Sequence, residues 1–125
     1  MILVDTSIWI DHFRAGAAKL TGLLNDLNVL AHPWVTGELA LGNLSRRAEV
    51  LGLIRNLPQA TVATDEEVLA LIDRQQLFGR GIGYVDAHLL AATMLTSGAR
   101  LWTRDKRLTS TATRLGLSWG DTQRS

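Results

Sequence analysis

Ile2-Leu3-Val4-Asp5-Thr6-Ser7, at the start of the chain, is three apolar residues closed by an acid and two hydroxyls. A strand with one face in water alternates apolar and polar residues; an unbroken apolar run suits a strand covered on both faces, as in parallel sheets. Thr6 and Ser7 are good helix starters, and Ile8, Trp9, Ile10 and Phe13 then recur at roughly helical spacing until Gly16. The opening therefore predicts a buried parallel strand that runs straight into a helix.

The rest of the chain repeats this alternation. Leu20, Leu23, Leu24 and Leu27 share one face of a helix predicted over 17–28. Val29-Leu30-Ala31 is a second strand candidate, and His32-Pro33 opens a helix predicted to reach about Leu44, proline being well tolerated in a first turn. A helix over 48–57 ends at Pro58, 60–63 is a strand candidate, and Thr64-Asp65-Glu66-Glu67 is a helix start with acids well placed for the dipole. After the Gly79-Arg80-Gly81-Ile82-Gly83 loop come an apolar helix over 84–97, a strand over 100–103, a helix over 105–115 and a last strand candidate at 117–119. Strands alternating with helices imply an α/β fold built on a parallel sheet.

Composition narrows the class. With 125 residues, 46% hydrophobic and 20% charged, the chain suits one domain, over 1–125, that buries a real core. It has no cysteine, which excludes disulfides and thiolate metal sites and suits a reducing cytoplasm. A net charge of +1 makes it no bulk polycation, so any affinity for phosphate rests on local clustering. No apolar run approaches the ~20 residues of a membrane span, and residues 1–5 show no basic leader or cleavage-site pattern, so a soluble, cytoplasmic protein without membrane association is expected.

Four acids stand out. Asp5 and Asp105 each follow a predicted strand and begin a helix, which is where ligands gather in open α/β sheets, and each also reads as a plain helix cap. Glu38 shares a helix face with Trp34 and Leu41, where a carboxylate is expensive without a partner, or else it marks a rim between core and solvent. Asp86 opens the helix that continues through Leu89 and Leu90, with capping again the alternative.

With Thr36-Gly37-Glu38-Leu39, Asp86-Ala87-His88-Leu89-Leu90-Ala91-Ala92 and Thr103-Arg104-Asp105, the opening stretch resembles the PIN-domain family, specifically the VapC toxins of bacterial VapBC toxin–antitoxin pairs. Order and spacing match over nearly the whole chain. The resemblance implies a three-layer α/β sandwich with a short, mostly parallel central sheet flanked by helices, and endoribonuclease activity. It maps the family's acidic quartet onto Asp5, Glu38, Asp86 and Asp105, with Thr6 and Thr103 supporting the site by hydrogen bonding. It further implies an RNA substrate, a VapB-type antitoxin that blocks the site, a homodimer, and contact with DNA only through the antitoxin.

Four carboxylates packed together repel one another, and a hard divalent cation with oxygen ligands resolves this, so Mg²⁺ or Mn²⁺ is the expected cofactor. Asp5, Asp86 and Asp105 are the first choices as ligands. Glu38 would hold a second metal or a metal-bound water, in a metal-assisted phosphodiester hydrolysis. Arg80, Arg104, Lys106 and Arg107 are candidate contacts to flanking phosphates, or else solvated charges paired with nearby acids; Arg46 and Arg47 are weaker candidates. Trp102 is expected in the core, Trp9 and Trp34 at a partner surface, and His12, His32 and His88 in structural or exposed positions.

Two rivals frame this reading. One is a catalytically weak module acting mainly as an antitoxin-bound operon regulator. The other is a phosphatase of the haloacid dehalogenase type, which also begins with a strand and an Asp but wants a second Asp two residues on, where this chain has Ser7.

Overall fold

The computed structural model describes residues 1–120, so the last five residues of the expected 1–125 domain lie outside it. The elements follow in the order β1 (Ile2–Val4), α1 (Thr6–Ala15), α2 (Ala18–Asn25), β2 (Val29–Leu30), α3 (Pro33–Ala40), α4 (Arg47–Arg55), α5 (Asp65–Arg74), α6 (Tyr84–Leu95), β3 (Arg100–Trp102) and α7 (Lys106–Arg114).

β1 is the central strand of a parallel sheet ordered β2-β1-β3. Ile2, Leu3 and Val4 are all buried, and because successive strand residues point to opposite faces, both faces of the sheet are covered. The register sets Ile2 against Val29 and Arg100, Leu3 against Leu30 and Leu101, and Val4 against Trp102. Leu89 and Leu90 of α6 and Leu108 of α7 complete a core in which each is fully buried.

Neither outer strand candidate forms a strand: 60–63 has no bridge of its own, the one on that side falling just before it, and 117–119 is reduced to a single bridge. Gln59 lies parallel to Ala31 and Ser118 to Leu101. Beyond Gln59 the ladder stops because the Thr61 amide donates to the Thr96 hydroxyl (2.9 Å) rather than to a neighbouring strand. The 117–119 segment lies between Gly116 and Gly120, whose φ values of 74° and 93° turn the chain at both ends. The Leu101 N–H to Leu117 and Trp119 N–H to Leu101 bonds join it to β3. α3 stops at Ala40, short of the expected Leu44, where Gly42 and Asn43 lower helix propensity and Leu41 is 90% exposed, with nothing to pack on.

The aromatic residues are distributed differently from expectation. Trp9 is buried, its ring stacked on Phe13 with centroids 5.8 Å apart, so it is a core residue and not a partner surface. Trp102 is only half-buried, set edge-on against Trp119 at 4.9 Å because its strand position opens toward the edge bridge. Trp34 is half-buried against the ring of His88, at 4.0 Å.

His32 is fully buried and starts α3: its Nδ1 accepts the Trp34 N–H (3.1 Å), and Nε2 has no partner among the described residues. Burial, helped by the nearby His88, lowers its pKa from 6.5 to about 4. The unfolded chain thus takes up this proton at a higher pH than the folded one. Stability from neutral His32 is complete above pH 6.5 and is lost as pH falls toward about 4, on the order of 3 kcal/mol in all. Urea denaturation across that window should show the loss, and His32→Asn, which keeps an acceptor for the Trp34 amide, should flatten it. An unchanged slope in the variant would rule out His32 as the source.

Candidate functional site

Parallel pairing sends β1 and β3 out of the sheet at the same end, so Asp5 and the 103–105 turn emerge side by side. The Asp5 N–H donates to the Trp102 carbonyl (3.0 Å), extending the ladder one step beyond the strand. Asp5 occupies the N-cap position of α1, yet its side chain makes no capping bond. Instead its Oδ2 accepts from both the Ser7 hydroxyl (2.8 Å) and the Thr103 hydroxyl (2.8 Å). Asp5 is buried at 8% exposure, so this carboxylate is oriented by two donors rather than left to solvent. Both use the same oxygen, and neither occupies Oδ1. The bland reading of Asp5 as a helix cap therefore fails.

For Asp105 that reading holds: its Oδ1 accepts the Leu108 N–H (2.9 Å) and caps α7. It remains tied to Asp5, because the Asp105 N–H donates to the same Thr103 hydroxyl (3.1 Å) that donates to Asp5. Thr103 thus stands between the two acids. Ser7, not singled out as a site residue on sequence grounds, also accepts the Arg104 N–H (3.1 Å) and pins the turn from the other side. The available signal was its position two residues after Asp5, where a hydroxyl reaches back to the carboxylate.

Glu38 comes from α3 and accepts the Thr6 hydroxyl at Oε1 (2.8 Å). The expectation of an apolar setting for Glu38 is corrected: it is exposed, Leu41 is 90% exposed, and Trp34 is only half-buried. α3 ends too soon for Leu41 to be drawn inward. Asp86, half-buried in the first turn of α6, accepts the Gly83 N–H at Oδ2 (3.0 Å). Its pKa is raised, first by burial and then by the charges of Asp5, Asp105 and Glu38, against the Gly83 hydrogen bond. Four acids from four separate elements therefore share one electrostatic neighbourhood.

Among the described residues no three His, Asp or Glu side chains are gathered tightly enough to hold a metal ion as they stand. Mg²⁺ does not require that, because it sheds water reluctantly and is usually held by one or two carboxylates with waters in the remaining positions. The donor set, all oxygen, and the repulsion felt at Asp86 fit such a cation. His88 turns away from the acids: it is buried, and its Nε2 lies 3.1 Å from Asp65, which also accepts the Tyr84 hydroxyl (2.8 Å). Those two hydrogen bonds, Tyr84 first, lower the pKa of Asp65.

The expected phosphate contacts divide. Arg104 is ion-paired with Asp11 of α1. Arg80 is tethered at Nε to the Gln76 carbonyl (2.9 Å) and lines a cleft with Lys106 and Arg107. Away from the site, Arg46 pairs with Glu49 and Arg47 donates to the Ala40 carbonyl.

The PIN domain family model matches residues 2–113. Ribonuclease VapC32 of Mycobacterium tuberculosis is 52% identical over 118 residues in both the CDC 1551/Oshkosh and the ATCC 25618/H37Rv strains, covering 94% of this chain and 95% of the relative. Among solved structures, the crystal structure of FitAcB from Neisseria gonorrhoeae superposes with a TM-score of 0.59 at 20% identity, over 90% of this chain and 94% of that one. That likeness is one of fold.

Asp86 also makes the electrostatics testable through stability. Because its folded pKa lies above the unfolded one, its contribution is fully present below the ordinary value of 3.8 and is lost as pH rises through the raised value. Asp86→Asn still has an oxygen for the Gly83 amide. It should melt about 2–4 °C above the wild type at pH 7, with the difference vanishing in acid. A variant that melts lower at pH 7 would contradict the repulsion.

Proposed function

The chain belongs to the PIN-domain family, and from that premise we propose that it is a metal-dependent endoribonuclease, the toxin of a type II toxin–antitoxin pair. The observation that carries this reading is geometric: parallel pairing of β1 with β3 brings Asp5 and Asp105 onto one Thr103 hydroxyl at the carboxyl end of the sheet. Asp86, its pKa raised first by burial, also feels the charges of Asp5, Asp105 and Glu38. The 52% identical relatives are ribonucleases by name, which supports the same chemistry.

Asp5, Asp86 and Asp105 would hold Mg²⁺ or Mn²⁺, with Glu38 as a further ligand or the holder of a water. When bound, the cation supplies a lowered pKa for water and charge stabilisation for the departing oxygen. The chain's own side chains do the rest. The Ser7 and Thr103 hydroxyls orient the Asp5 carboxylate through Oδ2. Thr6 holds Glu38 at Oε1, so its second oxygen is available to accept a proton from a water at the scissile phosphate. The Gly83 amide aims Asp86 inward, and Arg80, Lys106 and Arg107 attract the RNA backbone that the acids would otherwise repel.

A VapB-type antitoxin is the proposed partner, and a homodimer the proposed assembly. Ile10 and Phe13 of α1, 43% and 37% exposed, offer apolar contacts on the helix that directly follows Asp5, where an antitoxin segment would cover the site. DNA would be reached only through the antitoxin. The cytoplasm is the proposed location; separately, no helix among the described residues is long and apolar enough to cross a membrane.

Cleavage of total cellular RNA, with end mapping, tests the reading. Mg²⁺ or Mn²⁺ should support cutting and chelation should abolish it. Asp5→Asn should lose on the order of 10²-fold or more in rate, and Thr103→Val about 10-fold through its hold on Asp5. Equal cutting by wild type and Asp5→Asn would overturn the metal-site assignment, and no cutting by either would favour the operon-regulator alternative.

A further inference from the structure

A cleft of about 380 Å³ beside the acidic cluster is lined by Arg80, Lys106, Arg107, Ser110 and Thr111, with Gly79 at its edge. Among the described residues its wall holds three cations and no acid. Among the described residues none of these three cations is in an ion pair, whereas Arg104 on the same turn is neutralised by Asp11. Lys106 and Arg107 also occupy the first turn of α7, where there is no acid and where positive charge opposes the helix dipole. With the Asp105 carboxylate already capping this helix, the dipole gives no reason for two further cations in its first turn, and local choices that run against the dipole are expected where function requires them.

One of the three cations is seated by backbone. Gly81 has φ +77°, and a Cβ built on it would lie 2.7 Å from both Cδ and Nη1 of Arg107 and 3.1 Å from Nε. The Arg107 side chain therefore lies flat on the Gly81 backbone, in space that any other residue would fill. The same loop ends at Gly83, whose amide holds Asp86. A single five-residue segment thus positions a carboxylate of the acidic cluster and a guanidinium of the basic cleft.

We propose that this cleft is a subsite for a backbone phosphate of single-stranded RNA flanking the scissile bond, with Gly81 the positioning residue that presents Arg107 to it. The choice of ligand rests on the ribonuclease reading. A guanidinium held in place loses less side-chain entropy on binding than a free one and offers a fixed pair of donors to phosphate oxygens. Because the atoms a Cβ would strike belong to the end of a flexible side chain, Gly81→Ala should displace Arg107 before it disturbs the fold, although the positive φ adds some strain.

The test uses the catalytically silent Asp5→Asn protein and a fluorescent single-stranded RNA 12-mer without added metal, followed by anisotropy over a salt series. Arg107→Ala should weaken binding about 5–10-fold and flatten the slope of log affinity against log salt by about 0.7, the loss of one phosphate contact. Gly81→Ala should do nearly the same, and the double variant should bind no worse than Arg107→Ala alone. Loop strain acting by itself would add in both backgrounds. Normal binding by Gly81→Ala, or additive losses in the double variant, would overturn its positioning role; normal binding by Arg107→Ala would overturn the subsite. Should Gly81→Ala not fold, nitrogen-15 spectra of the Asp5→Asn protein decide. The Arg107 Nε–Hε signal should shift on RNA titration while that of Arg104 stays in place, and a silent Arg107 would overturn the proposal. Failure of the ribonuclease reading is distinct, being the absence of RNA cleavage by the wild type.

Discussion

The pairing of β1 with β3 is the constraint on which the rest depends. Val4 lies against Trp102 in parallel register, and the Asp5 amide carries the ladder one residue further, to the Trp102 carbonyl. That one bond places residues 5–7 beside residues 103–105, although about a hundred positions separate them in the chain. Antiparallel strands, or a register shifted by one residue, would send Asp5 and Thr103 to opposite ends or opposite faces. Burial of Leu3 and Val4 on the two faces of the central strand makes any such slip expensive.

The acids that meet at this end of the sheet are held in different ways. Asp5 is buried and takes two hydroxyl donors on one oxygen; Asp105 caps α7; Glu38 is exposed and tied to Thr6; Asp86 is half-buried with a single backbone donor. The strain of bringing like charges together therefore appears at Asp86, where burial adds to repulsion and one hydrogen bond does not offset them.

Sequence patterns carried unequal parts of this. The unbroken apolar run at 2–4 and the helices after it are legible because a strand buried on both faces loses its polar alternation while a helix keeps apolar residues at its own spacing, and residue order shows both. The outer strands were not, because whether 60–63 pairs with a neighbour depends on a hydroxyl from Thr96, a residue 35 positions away from Thr61. Glu38 was singled out for an apolar setting it does not have, and Trp9 for an exposure it does not have; helical spacing places a residue on a face without saying what lies opposite. Gly81 is not legible as a positioning residue because the side chain it seats, Arg107, comes from another part of the fold, and the role of Ser7 depends as much on the distant Arg104 amide as on the nearby Asp5 carboxylate.

By itself, then, the sequence determined the class of fold, the family, and which acids were worth watching, since these depend on residue type and local spacing. Only the tertiary structure decided that the Asp5 side chain is oriented by hydroxyls and does not cap its helix, that Asp105 caps α7 while its amide shares the Thr103 hydroxyl with Asp5, and that Asp86, raised in pKa first by burial, also feels the charges of the other three. It also decided that Arg107 rests on Gly81 while Arg104 is spent on Asp11. The physical reason is that charge and hydrogen bonding act over a few ångströms of space, and the sheet register, not chain order, determines which groups come that close.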